Sequence, residues 1–97
     1  MIKAVTVDGM MSGTGIRDSV NGGYLELDNL PLSSSLKRQI TEWLSKYENA
    51  HYFSFEDASE VETLDLIGLN IARAIKEEVS ALEVRYYSSA RLKELKF

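Results

Sequence analysis

The chain contains no cysteine, which excludes disulfide staples, thiolate metal sites and a thiol nucleophile together. A domain this small that does without staples reads as a protein of a reducing compartment, and a cytoplasmic location is expected. No apolar run approaches the roughly 20 residues that cross a bilayer. The start, Met1-Ile2-Lys3-Ala4-Val5-Thr6-Val7, is too short and too alternating for the apolar core of a signal peptide, so no membrane partner is expected. Proline occurs once, at Pro31, and histidine once, at His51. Basic residues are missing from one long stretch: between Tyr47 and Ala72 there is no lysine or arginine, although Glu48, Glu56, Asp57, Glu60, Glu62 and Asp65 all fall there. The C-terminal stretch is the opposite, with Arg85, Arg91, Lys93 and Lys96. An acidic side and a basic end follow from this asymmetry, and the net charge of −4 disfavours nucleic acid as a partner.

What is present describes one folded unit. Ninety-seven residues make a single α/β domain over 1–97, burying roughly 60–65 per cent of the unfolded surface. Apolar residues at 44 per cent and charged residues at 27 per cent lie far from the signature of disorder. Residues 2–7 alternate and are β-branched, which predicts a first strand closed by Asp8-Gly9. Asn21-Gly22-Gly23 predicts a tight turn, with a hairpin of 15–20 on 23–27.

Leu30-Pro31-Leu32-Ser33 predicts an extended entry with a serine cap. Leu36, Ile40, Trp43, Leu44 and Tyr47 then recur at helical spacing to about residue 48. Asp57-x-x-Glu60 and Ser59-x-x-Glu62 are overlapping capping boxes for a second helix, whose apolar face is Leu64, Ile67, Gly68, Ile71, Ala72, Ile75 and Val79. Gly68 on that stripe predicts a close crossing, with the first helix as the neighbour. Leu82–Tyr87 alternates and predicts a last strand, followed by a charged tail, 91–97, read as a short helix. The expected fold class is therefore α+β. It has a single-layer antiparallel or mixed sheet in the order β-β-β-α-α-β, with two amphipathic helices on one face.

Few residues point to chemistry. His51 falls in the expected inter-helix loop, where nothing places it beside a serine and an acid, so a solvated or capping role is favoured over general base. Glu56 and Glu60 could in principle share acid–base work or a hard cation, but they sit where a helix start explains them, and the calcium-loop pattern is absent. Gly13-Thr14-Gly15 lacks the remainder of a phosphate-binding motif. Tyr86 and Tyr87 near Arg85 and Arg91 resemble a single-strand nucleic-acid surface, yet one of two adjacent strand tyrosines must face the core. Tyr52-Phe53-Ser54-Phe55 is the unusual run: either it covers the end of the core or it supplies interface anchors. No enzyme activity, cofactor or metal is expected.

The spacing of Gly15-Ile16, Gly22-Gly23 with Leu25 and Leu27, Leu30-Pro31-Leu32-Ser33-x-x-Leu36, Trp43-x-x-x-Tyr47-Glu48, Gly68-Leu69-x-Ile71-Ala72 and Val84-x-Tyr86-Tyr87 resembles a group of small bacterial proteins. Some of these are immunity proteins of polymorphic toxin and contact-dependent growth-inhibition systems. The resemblance spans most of 15–87 and rests mainly on cap, turn and core residues. It implies a cytosolic inhibitor that binds the C-terminal domain of a cognate toxin, such as a nuclease, and blocks its active site. On that reading Glu56, Asp57, Glu60 and Glu62 face the toxin, and Tyr52, Phe53 and Phe55 supply apolar anchors. The alternative is an accessory or scaffold domain that self-associates through an open sheet edge.

Overall fold

A computed structural model describes residues 2–97. Four strands form one mixed sheet in the spatial order β2-β1-β3-β4: β1 (Ala4–Asp8), β2 (Ile16–Asp18), β3 (Glu83–Ser88) and β4 (Lys93–Leu95). Two helices, α1 (Ser34–Tyr52) and α2 (Ala58–Glu78), lie between β2 and β3 in the chain. β1 and β3 run parallel, with Val5 opposite Val84 and Val7 opposite Tyr86, and the outer strands pair antiparallel. The class is α+β, and the element order is β-β-α-α-β-β. Both helices cover one face of the sheet, where Val5, Val7, Ile16 and Tyr86 meet Ile40, Trp43, Leu64, Ile71 and Ile75 in one core.

The cap signals act as expected. Ser33 Oγ accepts from the Leu36 N–H at 3.1 Å, and Asp57 accepts from the Glu60 N–H at 3.2 Å. Each satisfies a donor that the helix start leaves free. Asp57 alone is the cap of α2; Ser59 falls inside the helix, so the second capping box is not used as one.

Four expectations change. The 23–27 segment is not a strand: it contributes a single bridge, Arg17 to Tyr24, and then closes into a 3-10 turn at Leu27–Asn29. The positive-φ positions are Gly22 and Gly23, one residue later than an Asn-Gly turn would place them. Asp18 Oδ1 accepts from the Val20 and Asn21 N–H groups and widens the loop. The 91–97 tail is not a helix but supplies β4, because the free edge of β3 offers hydrogen-bonding groups that a short charged helix would forgo. α1 continues to Tyr52, which puts His51 in its last turn rather than in a loop. Finally, Gly68 packs on the sheet rather than on α1: a Cβ there would lie 2.6 Å from Cζ of Tyr86 and 2.7 Å from its hydroxyl.

Candidate functional site

Because β1 and β3 are parallel, their C-terminal ends lie side by side, and the end of α1 and the start of α2 are folded onto the same end of the molecule by Tyr47. The Tyr47 ring fills the space that a side chain at Gly9 would occupy and stands edge-on to Phe55 at 5.7 Å. Its hydroxyl accepts from the Ala90 N–H at 3.0 Å in the β3–β4 turn. Three connections therefore converge here: Gly9–Gly15, Phe53–Asp57 and Ser89–Leu92.

Beneath them lies a buried carboxylate. Asp65 is 2% exposed. Its Oδ1 accepts from the hydroxyls of Tyr86 (2.6 Å) and Tyr47 (3.0 Å), and its Oδ2 accepts from the Ser88 hydroxyl (2.8 Å). Arg91 Nε stands 3.3 Å from Oδ2, and Ser88 Oγ in turn accepts from the Arg91 N–H. With both hydroxyl protons committed to Asp65, the 3.3 Å approach of Tyr47 to Ser88 is a contact without a free donor. The carboxylate thus accepts three hydroxyl hydrogen bonds from α1 and β3 and pairs with Arg91 of the turn. It ties these elements to α2. Counting charges along the chain places Asp65 on the acidic surface. The missed signal is its position on the 61, 64, 65, 68, 72 stripe of α2, where every other side chain is apolar or absent.

A second buried acid, Asp8, holds the β1–β2 loop. It accepts from the Tyr24 hydroxyl at 2.8 Å and from the Met10 N–H at 3.2 Å. Arg17 Nε lies 3.4 Å from Oδ2 as an ion-pair contact that makes no hydrogen bond. Gly13 packs against the Tyr24 ring and Gly15 has φ +98° against Ile40, so these glycines serve close packing within the loop.

On this framework the loop end exposes apolar side chains, with acidic ones near them in the chain. Met10, Met11, Tyr52, Phe53 and Leu92 are exposed, with Tyr52 at 77% and Phe53 at 57%, and these two rings stand edge-to-face at 5.2 Å. Ser54 and Phe55 both adopt left-handed backbone, at φ +58° and +54°, a conformation that costs of order 1 kcal/mol or more for each non-glycine residue. That turn points Phe55 inward, onto Tyr47 and His51, and leaves Phe53 outside. Of the three aromatic anchors expected from the run, the structure presents Tyr52 and Phe53 and half-buries Phe55. Glu56, Asp57, Glu60 and Glu62 are all exposed: Glu56 and Asp57 follow the aromatic run directly, with Asp57 also engaged as the α2 cap, and Glu60 lines one groove with Tyr52, whereas Glu62 stands about 200° around α2 from Glu60 and so off that groove. A groove of about 780 Å³ leaves this end between α1 and α2, past Met11, Tyr52, Glu48 and Glu60 toward Ile67. The His51 ring packs on Phe55 at 5.1 Å, and its buried Nδ1 has no hydrogen-bond partner among the described residues.

Compared with family models, curated proteins and solved structures, the chain matches none.

The buried phenols make the site sensitive to alkali. Burial, then the Asp65 bond, raises the Tyr86 hydroxyl far above the ordinary phenol value. Burial chiefly raises Tyr47, and burial with the Asp8 bond raises Tyr24. Above about pH 10 an unfolded chain releases these protons whereas the folded chain retains them. Their contribution to stability is complete below that pH and is lost as the pH climbs toward the raised values. Thermal melts from about pH 9 to about pH 11.5 should show a falling Tm, and Tyr86→Phe should flatten the fall. An equal slope in that variant would remove Tyr86 from the account.

Proposed function

We propose that this chain is a non-catalytic protein-binding module whose loop end docks on a cognate bacterial toxin domain of nuclease type and neutralises it. The observation that carries the reading is the Tyr52–Phe53 pair, held outside the core by a left-handed turn, followed directly in the chain by the exposed acids Glu56 and Asp57 and sharing a groove with Glu60. Exposed aromatics within a polar rim are the composition of interface hot spots. An acidic rim gains association rate against the basic surface with which a nuclease holds phosphate. Self-association through a sheet edge has less support, because β2 and β4 are three residues each and β4 carries Lys93 and Glu94, a charged, short edge of the kind that discourages strand addition.

The test is capture of the partner by the tagged chain from its source cells, with a high-salt wash, followed by kinetics on variants. The double reversal Glu56→Lys with Glu60→Lys should slow association by about tenfold or more at low ionic strength and much less at high salt. Tyr52→Ala with Phe53→Ala should instead accelerate dissociation, at about 2 kcal/mol or more in affinity. Association and dissociation rates that ignore both variants would move the interface elsewhere, and a homodimer with no captured partner would favour the accessory reading.

A further inference from the structure

The apolar and acidic features of the loop end continue along the seam between the two helices. The 780 Å³ groove is followed, through the shared side chains Lys46 and Ile67, by a second depression of about 270 Å³ reaching Gln39 and Asn70. From Gln39 to Tyr52 the seam follows α1 for about 20 Å at 1.5 Å per residue. Among the described residues its walls carry Glu42, Glu48 and Glu60 against Lys46. Its middle is low: Ser45 and Asn49, one turn apart on α1, face Thr63 on α2. Ile67 lies partly buried between them, and Met11 with Tyr52 forms an apolar mouth.

We infer that this seam is the docking groove for an amphipathic, basic helix of the protein partner, which lays its apolar face over Tyr52, Met11 and Ile67 and its lysines or arginines against Glu48, Glu60 and Glu42. The inference rests on the protein-binding reading above and names what the partner brings. Small side chains along a helix seam let a third helix approach to the 8–10 Å of ordinary helix packing, and a groove of this length takes about four turns. The acids select the sign of the incoming side chains. Glu48 accepts from the Ser12 N–H through Oε2 alone, which leaves Oε1 for a cation, and Tyr52 offers a ring face for cation–π contact.

The test does not need the natural partner. An amphipathic leucine–lysine peptide of about 14 residues, the length of the seam at helical rise, is titrated into the ¹⁵N-labelled full chain, with a leucine–glutamate peptide of the same pattern as control. The expected result is saturable shifts of the Ser45, Asn49, Thr63 and Ile67 amides with the lysine peptide and none with the glutamate peptide. Binding should weaken about tenfold in Glu48→Gln with Glu60→Gln and be abolished by Thr63→Arg, which fills and neutralises the groove while both variants keep the native spectrum. Shifts spread equally over the remote acids Glu26, Asp28 and Glu77, or affinity unchanged in both variants, would overturn the proposal. If a captured partner binds these groove variants normally but loses affinity with Tyr52→Ala and Phe53→Ala, the groove fails and the loop-end reading stands. If the peptide seats in the groove but no partner is captured, the reverse holds.

Discussion

Replacing Asp65 by alanine is expected to destabilise the fold by about 3–5 kcal/mol, the range seen when one member of a buried polar set is removed. The magnitude follows from what is left behind. Tyr47, Tyr86 and Ser88 are buried, and all three donate a hydroxyl proton to this one carboxylate, so three donors lose their acceptor in a site where water does not replace it. Arg91 is less costly to orphan, because its side chain is 42% exposed and can turn to solvent. Urea denaturation followed by Trp43 fluorescence measures the loss. Asp65→Asn should fall between wild type and alanine: its carbonyl oxygen can still accept from the tyrosines, whereas its amide must face Ser88 and Arg91, which are donors. Tyr86→Phe, which removes one of the three donors, should cost about 1 kcal/mol. A loss below about 1 kcal/mol in Asp65→Ala would mean that the network is a consequence of the fold and not a cause of its stability.

Gly68→Ala should destabilise by about 1–3 kcal/mol even though alanine is the better helix former by about 1 kcal/mol. The sign is the point of the experiment. An added Cβ would meet the Tyr86 ring, 2.6 Å from Cζ. That ring cannot withdraw, because it is fully buried and tied through its hydroxyl to Asp65. α2 must then lift from β3, which disturbs the packing of Ile71, Ala72 and Ile75 in the same stripe. In a Tyr86→Leu background the clash is relieved, and Gly68→Ala should become neutral or stabilising, a coupling that a double-mutant cycle reads directly. A stabilising effect in the wild-type background would show that the helix–sheet distance adjusts freely.

These two residues also mark where sequence reasoning stops. The stripe that includes Gly68 predicts a close approach, and a close approach is present, but the partner is Tyr86 of the sheet and not the first helix. Periodicity shows that a face is buried and cannot say against what. Asp65 is harder still, since its spacing puts it beside that stripe while its charge assigns it to the surface. Only the arrival of two tyrosines, a serine and an arginine from distant parts of the chain makes its burial tolerable. The aromatic run behaves likewise: Tyr52, Phe53 and Phe55 look equivalent in order, and the left-handed turn at Ser54 and Phe55 divides them into two outside and one turned in.

Read alone, the chain determines what is local. Ser33 and Asp57 start the helices because a side-chain oxygen two or three residues before a free N–H is the nearest acceptor it can find. The alternation of 2–7 and 82–87 makes strands, and the apolar spacing of 36–47 and 64–79 makes two amphipathic helices that must share one core. The acidic stretch without a cation is likewise a property of composition. The tertiary structure decides what depends on groups far apart in sequence: that the tail pairs with β3 as a strand, because an open sheet edge has hydrogen bonds to offer that a short helix lacks, and that 23–27 leaves the sheet after one bridge. It also decides that parallel β1 and β3 end side by side, which brings three loops and two exposed rings to one end of the molecule.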